Sequence, residues 1–178
     1  ARDREQVIEY YQRNPSPVVD PSIKDPMKVL STNTYQKGGW VLNMLRKKLG
    51  DEIFWKGIRE YYSTYQNSNV MTEDFRNSME KVSGQDLDQF FEQWIFTEGY
   101  PELDFSWRYR RGKLTGTVTQ IQDQYIFQFP LELGIKNGNN VQLKKIEVSG
   151  KTQSFEIDLP SEPDDVILDP EIWLLFSE

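Results

Sequence analysis

The sequence contains no cysteine and no histidine. Without cysteine there is no disulfide framework, no thiolate metal site and no thiol nucleophile. Without histidine there is no imidazole general base, no histidine-dependent triad and no imidazole metal ligand. Chemistry run by these 178 residues alone is therefore confined to carboxylates, lysine, tyrosine and backbone groups. Basic charge is also short, with 21 Lys and Arg against 28 Asp and Glu, a net charge of −7 and a pI of 4.8. A nucleic-acid or anionic-lipid surface needs clustered cations, so neither partner is expected. No apolar run of about 18 residues occurs, so no membrane-spanning segment is expected. The absence of cysteine leaves cytoplasm and periplasm or exterior equally open. The opening Ala1-Arg2-Asp3-Arg4 has neither an initiator Met nor an apolar signal core, and is expected to follow an upstream segment of a longer protein.

Aromatic residues, by contrast, are plentiful: 10 Phe, 9 Tyr and 5 Trp supply the material of a packed core that a disordered chain lacks. Their spacing changes near Gly99-Tyr100-Pro101. Before that point the apolar residues follow a helical period. Val7, Tyr10 and Tyr11 share one side of a first helix, which Pro15 and Pro17 end. Pro21 and Pro26 keep the next stretch extended or irregular. Asn33 or Thr34 can cap a helix with the stripe Tyr35, Gly38, Leu42, Leu45 and Leu49, stopped by Gly50. Asp51 is expected to cap a helix with Phe54, Ile58, Tyr61, Tyr62 and Tyr65 inward, and Thr72 opens one burying Phe75, Met79 and Val82 up to Gly84. Asp86 and Gln89 resemble a capping box before Leu87, Phe90, Phe91 and Trp94.

After Pro101 the period becomes two, as in half-buried strands. Leu103, Phe105, Trp107 and Tyr109 alternate with polar residues, as do Phe127, Phe129, Leu131, Leu133 and Ile135. Asn137-Gly138 is a hairpin signal. The apolar phase slips between Leu143 and Ile146, which predicts a bulge near Lys144-Lys145. Pro130 suits an edge or a bulge. Strands are also expected at Phe155–Leu159, Val166–Leu168 and Trp173–Phe176. The expected fold class is α+β: a helical unit over 1–100 and an antiparallel β-sandwich of about seven strands over 101–178.

Most chemistry-bearing residues have an ordinary explanation. Gly38 and Gly39 lack the surroundings of a phosphate loop and are expected to allow close helix packing. Lys37 is expected to reach solvent or a carboxylate. Asp164, Asp165, Asp169 and Glu171 read as a solvated acidic loop rather than a calcium site. Trp107, Tyr109 and Trp173 fall in the inward phase and read as core rather than as a sugar platform.

Three segments carry a resemblance. Asn33-Thr34-Tyr35-Gln36-Lys37-Gly38-Gly39-Trp40-Val41-Leu42-Asn43-Met44-Leu45-Arg46 resembles a stretch of the M1 family of zinc metallopeptidases, the gluzincin aminopeptidases. Leu49-Gly50-Asp51-Glu52-Ile53-Phe54 resembles the opening of the next helix of that family. Phe90-Phe91-Glu92-Gln93-Trp94 with Gly99-Tyr100-Pro101 resembles the end of its catalytic domain. The resemblance runs from about Pro17 to Pro101, and the second half is similar to the family's following β-sandwich by pattern only. It implies that residues 1–100 are the helical C-terminal part of a peptidase catalytic domain. It also implies a parent that hydrolyses N-terminal peptide bonds of peptides with a zinc-activated water. The family's zinc ligands, H-E-x-x-H and a further Glu, lie upstream of the Tyr-x-Lys-Gly segment, and this sequence has no histidine. No cofactor is therefore expected in this chain, zinc is expected in the parent, and the chain alone is expected to be inactive. Its partners would be the upstream catalytic segment of the same protein and a peptide substrate.

One site residue carries over. The resemblance implies that Tyr35 donates a hydrogen bond to the oxyanion of the tetrahedral intermediate. A phenol suits this, because it titrates near 10 and remains a neutral donor at pH 7. The alternative is a non-catalytic helical plus β-sandwich interaction module, or a degenerate peptidase relative.

Overall fold

The computed structural model describes residues 2–123 and 125–178. Two compact units divide the chain, Arg2–Gly99 and Tyr100–Glu178.

In the first unit, helix α1 spans Arg2–Arg13 and buries Val7 completely. A short helix α2, Pro26–Val29, occupies part of the stretch expected to be irregular. It forms because the Asp25 carboxylate accepts the Met27 N–H (3.0 Å) and Pro26 has the φ of a first helical turn. A π-helical turn, Asn33–Lys37, runs directly into α3, Gly38–Leu49. Gly50, at φ +81°, ends α3 and permits an abrupt start to α4, Asp51–Tyr65. Asp51 does not cap α4 but takes a two-pronged ion pair from Arg46, at 2.7 and 2.6 Å.

Helix α5, Thr72–Ser83, starts where the Asp74 carboxylate accepts the Met71 N–H (2.8 Å) and stops at left-handed Gly84. Gly57 lets α4 and α5 approach closely: a Cβ there would lie 2.3 Å from Met79 Sδ. Tyr62, expected inward, is 70% exposed, because Phe54 and Gly57 define the buried face of α4. Helix α6, Asp88–Phe91, continues into a second π-helical turn, Glu92–Phe96. Leu87, Phe90, Phe91 and Trp94 are buried, as their spacing predicts.

The second unit holds two three-stranded antiparallel sheets. One has the order β1-β2-β5, with β1 at Leu103–Arg110, β2 at Lys113–Gln120 and β5 at Thr152–Asp158. The other has the order β4-β3-β6, with β3 at Phe129–Asn137, β4 at Asn140–Val148 and β6 at Asp165–Leu168. Among the described residues this makes six strands, where about seven are expected. Trp173–Phe176 is buried but joins no sheet; only an isolated parallel bridge, Glu102 to Ser177, forms beside it. The bulge expected at Lys144-Lys145 is absent, since β3 and β4 pair without a break from Phe129–Val148 to Asn137–Asn140. The phase change arises instead because Val141 and Leu143 lie on the outward face, 47% and 43% exposed. Pro130 is tolerated in a central strand because β6 pairs only with residues 133–136 of β3, leaving Pro130 on a local edge.

Buried Gln120 is fully bonded. Its Nε2 donates to the carbonyls of Phe127 (2.8 Å) and Gly150 (3.1 Å), and its Oε1 accepts from Phe127 N–H (2.9 Å) and Gln122 (2.8 Å).

Candidate active site

Tyr35 sits in the middle of the π-helical turn Asn33–Lys37, with its N–H donating to the Ser31 carbonyl (3.1 Å). A π turn inserts a residue into the helical path and rotates what precedes it by about 100° relative to the following turns. The expected stripe is therefore displaced. The buried residues of the turn and α3 are Asn33, Lys37, Trp40, Val41, Met44, Leu45 and Leu49. Tyr35 and Leu42 are instead 62% and 41% exposed.

Both ends of the turn are anchored by buried polar side chains. Asn33 donates through Nδ2 to the Ser16 carbonyl (2.8 Å) and hydroxyl (2.9 Å), tying the turn to the segment after α1. It is a tether rather than a cap. The Thr34 hydroxyl donates to the Val29 carbonyl. Lys37, expected in solvent or against a carboxylate, is 1% exposed and directs Nζ at the Thr97 carbonyl, 3.5 Å away. Burial pulls its pKa down to about 8, partly opposed by the nearby Glu98 carboxylate. The signal for its burial is present in the sequence, because Lys37 falls in phase with Trp40, Val41 and Met44.

The exposed phenol stands where three open depressions meet. One, of about 470 Å³, is lined by Tyr35, Gln36, Gly39, Trp40 and Asn43. A second, of about 500 Å³, is apolar and includes Gly38, Leu42, Val70, Met71 and Phe75. The third, of about 590 Å³, includes Tyr10, Asn14, Lys28 and Ser31. Gly38 and Gly39 do not serve close helix packing. A Cβ on Gly39 meets nothing within 4 Å, and one on Gly38 meets only the Asn33 carbonyl at 3.9 Å. Their small size keeps the floor beside Tyr35 open.

The acidic residues do other work. Asp169 is buried, and its two carboxylate oxygens accept the N–H groups of Trp173 (3.1 Å) and Leu174 (3.0 Å), so it fastens the C-terminal segment instead of lying in a solvated loop. Asp164 accepts the Gly138 N–H (2.6 Å). Trp173 donates to Glu132 (3.1 Å) and the Tyr109 hydroxyl to the Leu159 carbonyl (3.2 Å). Trp107 is half-buried beside Gly116 and Phe155.

Among the described residues one carboxylate group, Glu80, Asp86 and Asp88, brings its oxygens within 4.8 Å of one another. Glu80 accepts the Leu87 N–H (2.7 Å), Asp86 the Asp88 N–H (2.8 Å), and Asp88 pairs with Arg76 (2.6 Å). Oxygen donors already engaged in this way do not fit a catalytic zinc ion, which takes imidazole or thiolate ligands together with a carboxylate.

The sequence profile described as the peptidase family M1 domain matches residues 6–94, half of this chain. A protein named probable aminopeptidase 2 from Sulfurisphaera tokodaii is 46% identical over 68 residues, covering 38% of this chain and 9% of that protein. Aminopeptidase N of Lactococcus lactis is 38% identical over 71 residues, covering 40% of this chain and 8% of that protein. Aminopeptidase 2, mitochondrial, of Saccharomyces cerevisiae is 27% identical over 142 residues, covering 75% of this chain and 15% of that protein. The crystal structure of Legionella pneumophila aminopeptidase A in complex with aspartic acid shares the fold, with a TM-score of 0.78 at 15% identity, over 98% of this chain and 23% of that one. The chain thus spans less than a quarter of each of these proteins' lengths.

Proposed function

Because this chain belongs to peptidase family M1, we propose that it works as one part of a longer metalloaminopeptidase, a hydrolase that cleaves the N-terminal peptide bond of a peptide. Residues 1–100 contribute the helical C-terminal part of the catalytic domain, and residues 101–178 the β-sandwich that follows it. Zinc, which in such an enzyme supplies an activated water, is held by residues other than these 178, which include neither His nor Cys. Alone, the chain has no peptidase activity.

Its own contribution to the chemistry is Tyr35. When water adds to an amide carbonyl, negative charge collects on the carbonyl oxygen. A fixed neutral donor aimed at that position stabilises the transition state more than the ground state. The observation that carries this reading is the exposed phenol on a turn pinned at both ends, open to depressions on three sides. An ordinary packing tyrosine buries its ring, whereas this one presents it to solvent from a rigid base. Asn33 and Lys37 hold the backbone, and Gly38 and Gly39 leave room for a substrate to approach.

Tyr35→Phe in the full-length, metal-loaded enzyme tests the proposal. Removing the hydroxyl should lower kcat by on the order of 10²–10³ while leaving KM, metal content and fold nearly unchanged. Near-normal kcat in a folded, loaded variant would remove this role.

A further inference from the structure

We infer that Lys37 is a positioning residue for Tyr35: its buried ammonium clamps the π-helical turn Asn33–Lys37 onto the end of the Glu92–Phe96 turn and so fixes where the phenol stands. The inference rests on the reading of Tyr35 as the oxyanion donor.

Lys37 and Tyr35 belong to the same five-residue turn, at whose other end Asn33 is tied to Ser16. The ammonium faces the Thr97 carbonyl just past the second π-helical turn, whose last bond runs from the Thr97 N–H to the Glu92 carbonyl (2.9 Å). The C-terminal end of a helical segment carries partial negative charge and attracts a cation, and the Glu98 carboxylate adds to that attraction.

As a source of stability this arrangement is poor. At 3.5 Å the hydrogen bond is long, and the side chain is 1% exposed, so the charge loses its hydration for little direct return. A methionine would fill the same space without that loss. A costly buried charge is thus kept in the turn that presents Tyr35, and π-helical turns recur at functional sites. What the charge supplies is a directed tether: an ammonium can hold a turn to a particular carbonyl, whereas a methyl thioether can only fill volume. Displacement of a donor by about 1 Å is enough to cost on the order of 10²-fold in rate.

A double-mutant cycle in the full-length, metal-loaded enzyme tests this, with Tyr35→Phe, Lys37→Met and the double variant compared with wild type. Lys37→Met should lower kcat about 10- to 100-fold with KM changed by less than about twofold. Added to Tyr35→Phe, it should lower kcat by less than about threefold further, because the group it positions is already gone. The backbone amide resonances of residues 33–39 in the 178-residue chain give a readout independent of activity: they should shift or broaden in Lys37→Met as the folded turn, no longer directed at one carbonyl, takes more than one position. Lys37→Gln, which keeps a donor on a shorter arm, should fall between wild type and Lys37→Met, and carries the same cycle if the methionine variant does not fold.

Wild-type kcat in Lys37→Met, or an equal loss in both backgrounds, would overturn the clamp and leave the oxyanion role standing. Near-normal kcat in Tyr35→Phe would overturn the oxyanion role itself, and the clamp with it.

Discussion

Replacing Lys37 by methionine should make the 178-residue chain more stable at neutral pH. Folding moves this lysine from 10.5 to about 8 because its ammonium is stripped of water. Each pH unit is worth about 1.4 kcal/mol, so the protonated side chain costs the folded state about 3 kcal/mol. The substitution also gives up the long contact with the Thr97 carbonyl, worth about 1 kcal/mol at most. A net gain of about 2 kcal/mol remains, which for a chain of this size raises Tm by roughly 4–8 °C.

The pH dependence has a definite sign. Between pH 8 and 10.5 the unfolded lysine holds its proton while the folded one has released it, so the unfolded state binds more protons and wild-type stability climbs with pH. Below pH 8 both states are protonated and the cost is complete. The methionine gain should therefore be full at about pH 7 and shrink steadily through about pH 9.5. Urea unfolding of both proteins at these two pH values measures it. A less stable methionine variant at pH 7, or a gain that does not shrink, would refute the burial argument.

Gly57→Ala should destabilise the helical unit by roughly 1–2 kcal/mol: its Cβ would drive into buried Met79, and better helix propensity recovers only part of the loss. Thermal unfolding at unchanged or raised Tm would contradict that crowding. Gln120→Leu should cost about 2–4 kcal/mol in the β unit, because it strands the Phe127 N–H and the Phe127 and Gly150 carbonyls in a buried setting; a denaturation midpoint equal to wild type is the adverse result. The 178-residue chain should bind no stoichiometric zinc and show no chelator-sensitive hydrolysis of aminoacyl arylamides, as it has no His or Cys and the carboxylates that cluster among the described residues are already engaged. Metal analysis with a peptidase assay decides the matter.

The coarse architecture is legible because periodicity reports which face of an element is buried. Val7, Met79, Phe90, Phe91 and Trp94 recur at helical spacing, and Leu131, Leu133 and Ile135 at strand spacing; each is buried. Stops are legible where a positive φ favours glycine, as at Gly50 and Gly84. What periodicity misreads is a change of phase with more than one cause. In α3 the π-helical turn, not a capped start, displaces the stripe, and so Tyr35 emerges and Lys37 is buried. In β4 the outward turn of Val141 and Leu143 imitates a bulge that the unbroken register excludes. Trp173–Phe176 is apolar enough for a strand, but the N–H groups of Trp173 and Leu174 are taken by the Asp169 carboxylate a few residues earlier, a side-chain partner that apolar spacing does not report. The role of Gly57 has no local signal at all, since it depends on Met79 in another helix. For the site, the residue type at position 35 is legible through its motif, while the two tethers that hold it require the fold.

The central claim is that the Tyr35 hydroxyl acts on charge that develops only in the transition state. It is tested most directly by comparing wild-type and Tyr35→Phe full-length enzyme for affinity toward a tetrahedral phosphinic peptide, alongside kcat/KM for the matching substrate. The account predicts that the inhibitor binds roughly 10²-fold more weakly to the phenylalanine variant, in step with the fall in kcat/KM, while KM barely moves. Equal inhibitor affinity for the two enzymes, or a loss confined to KM, would contradict it.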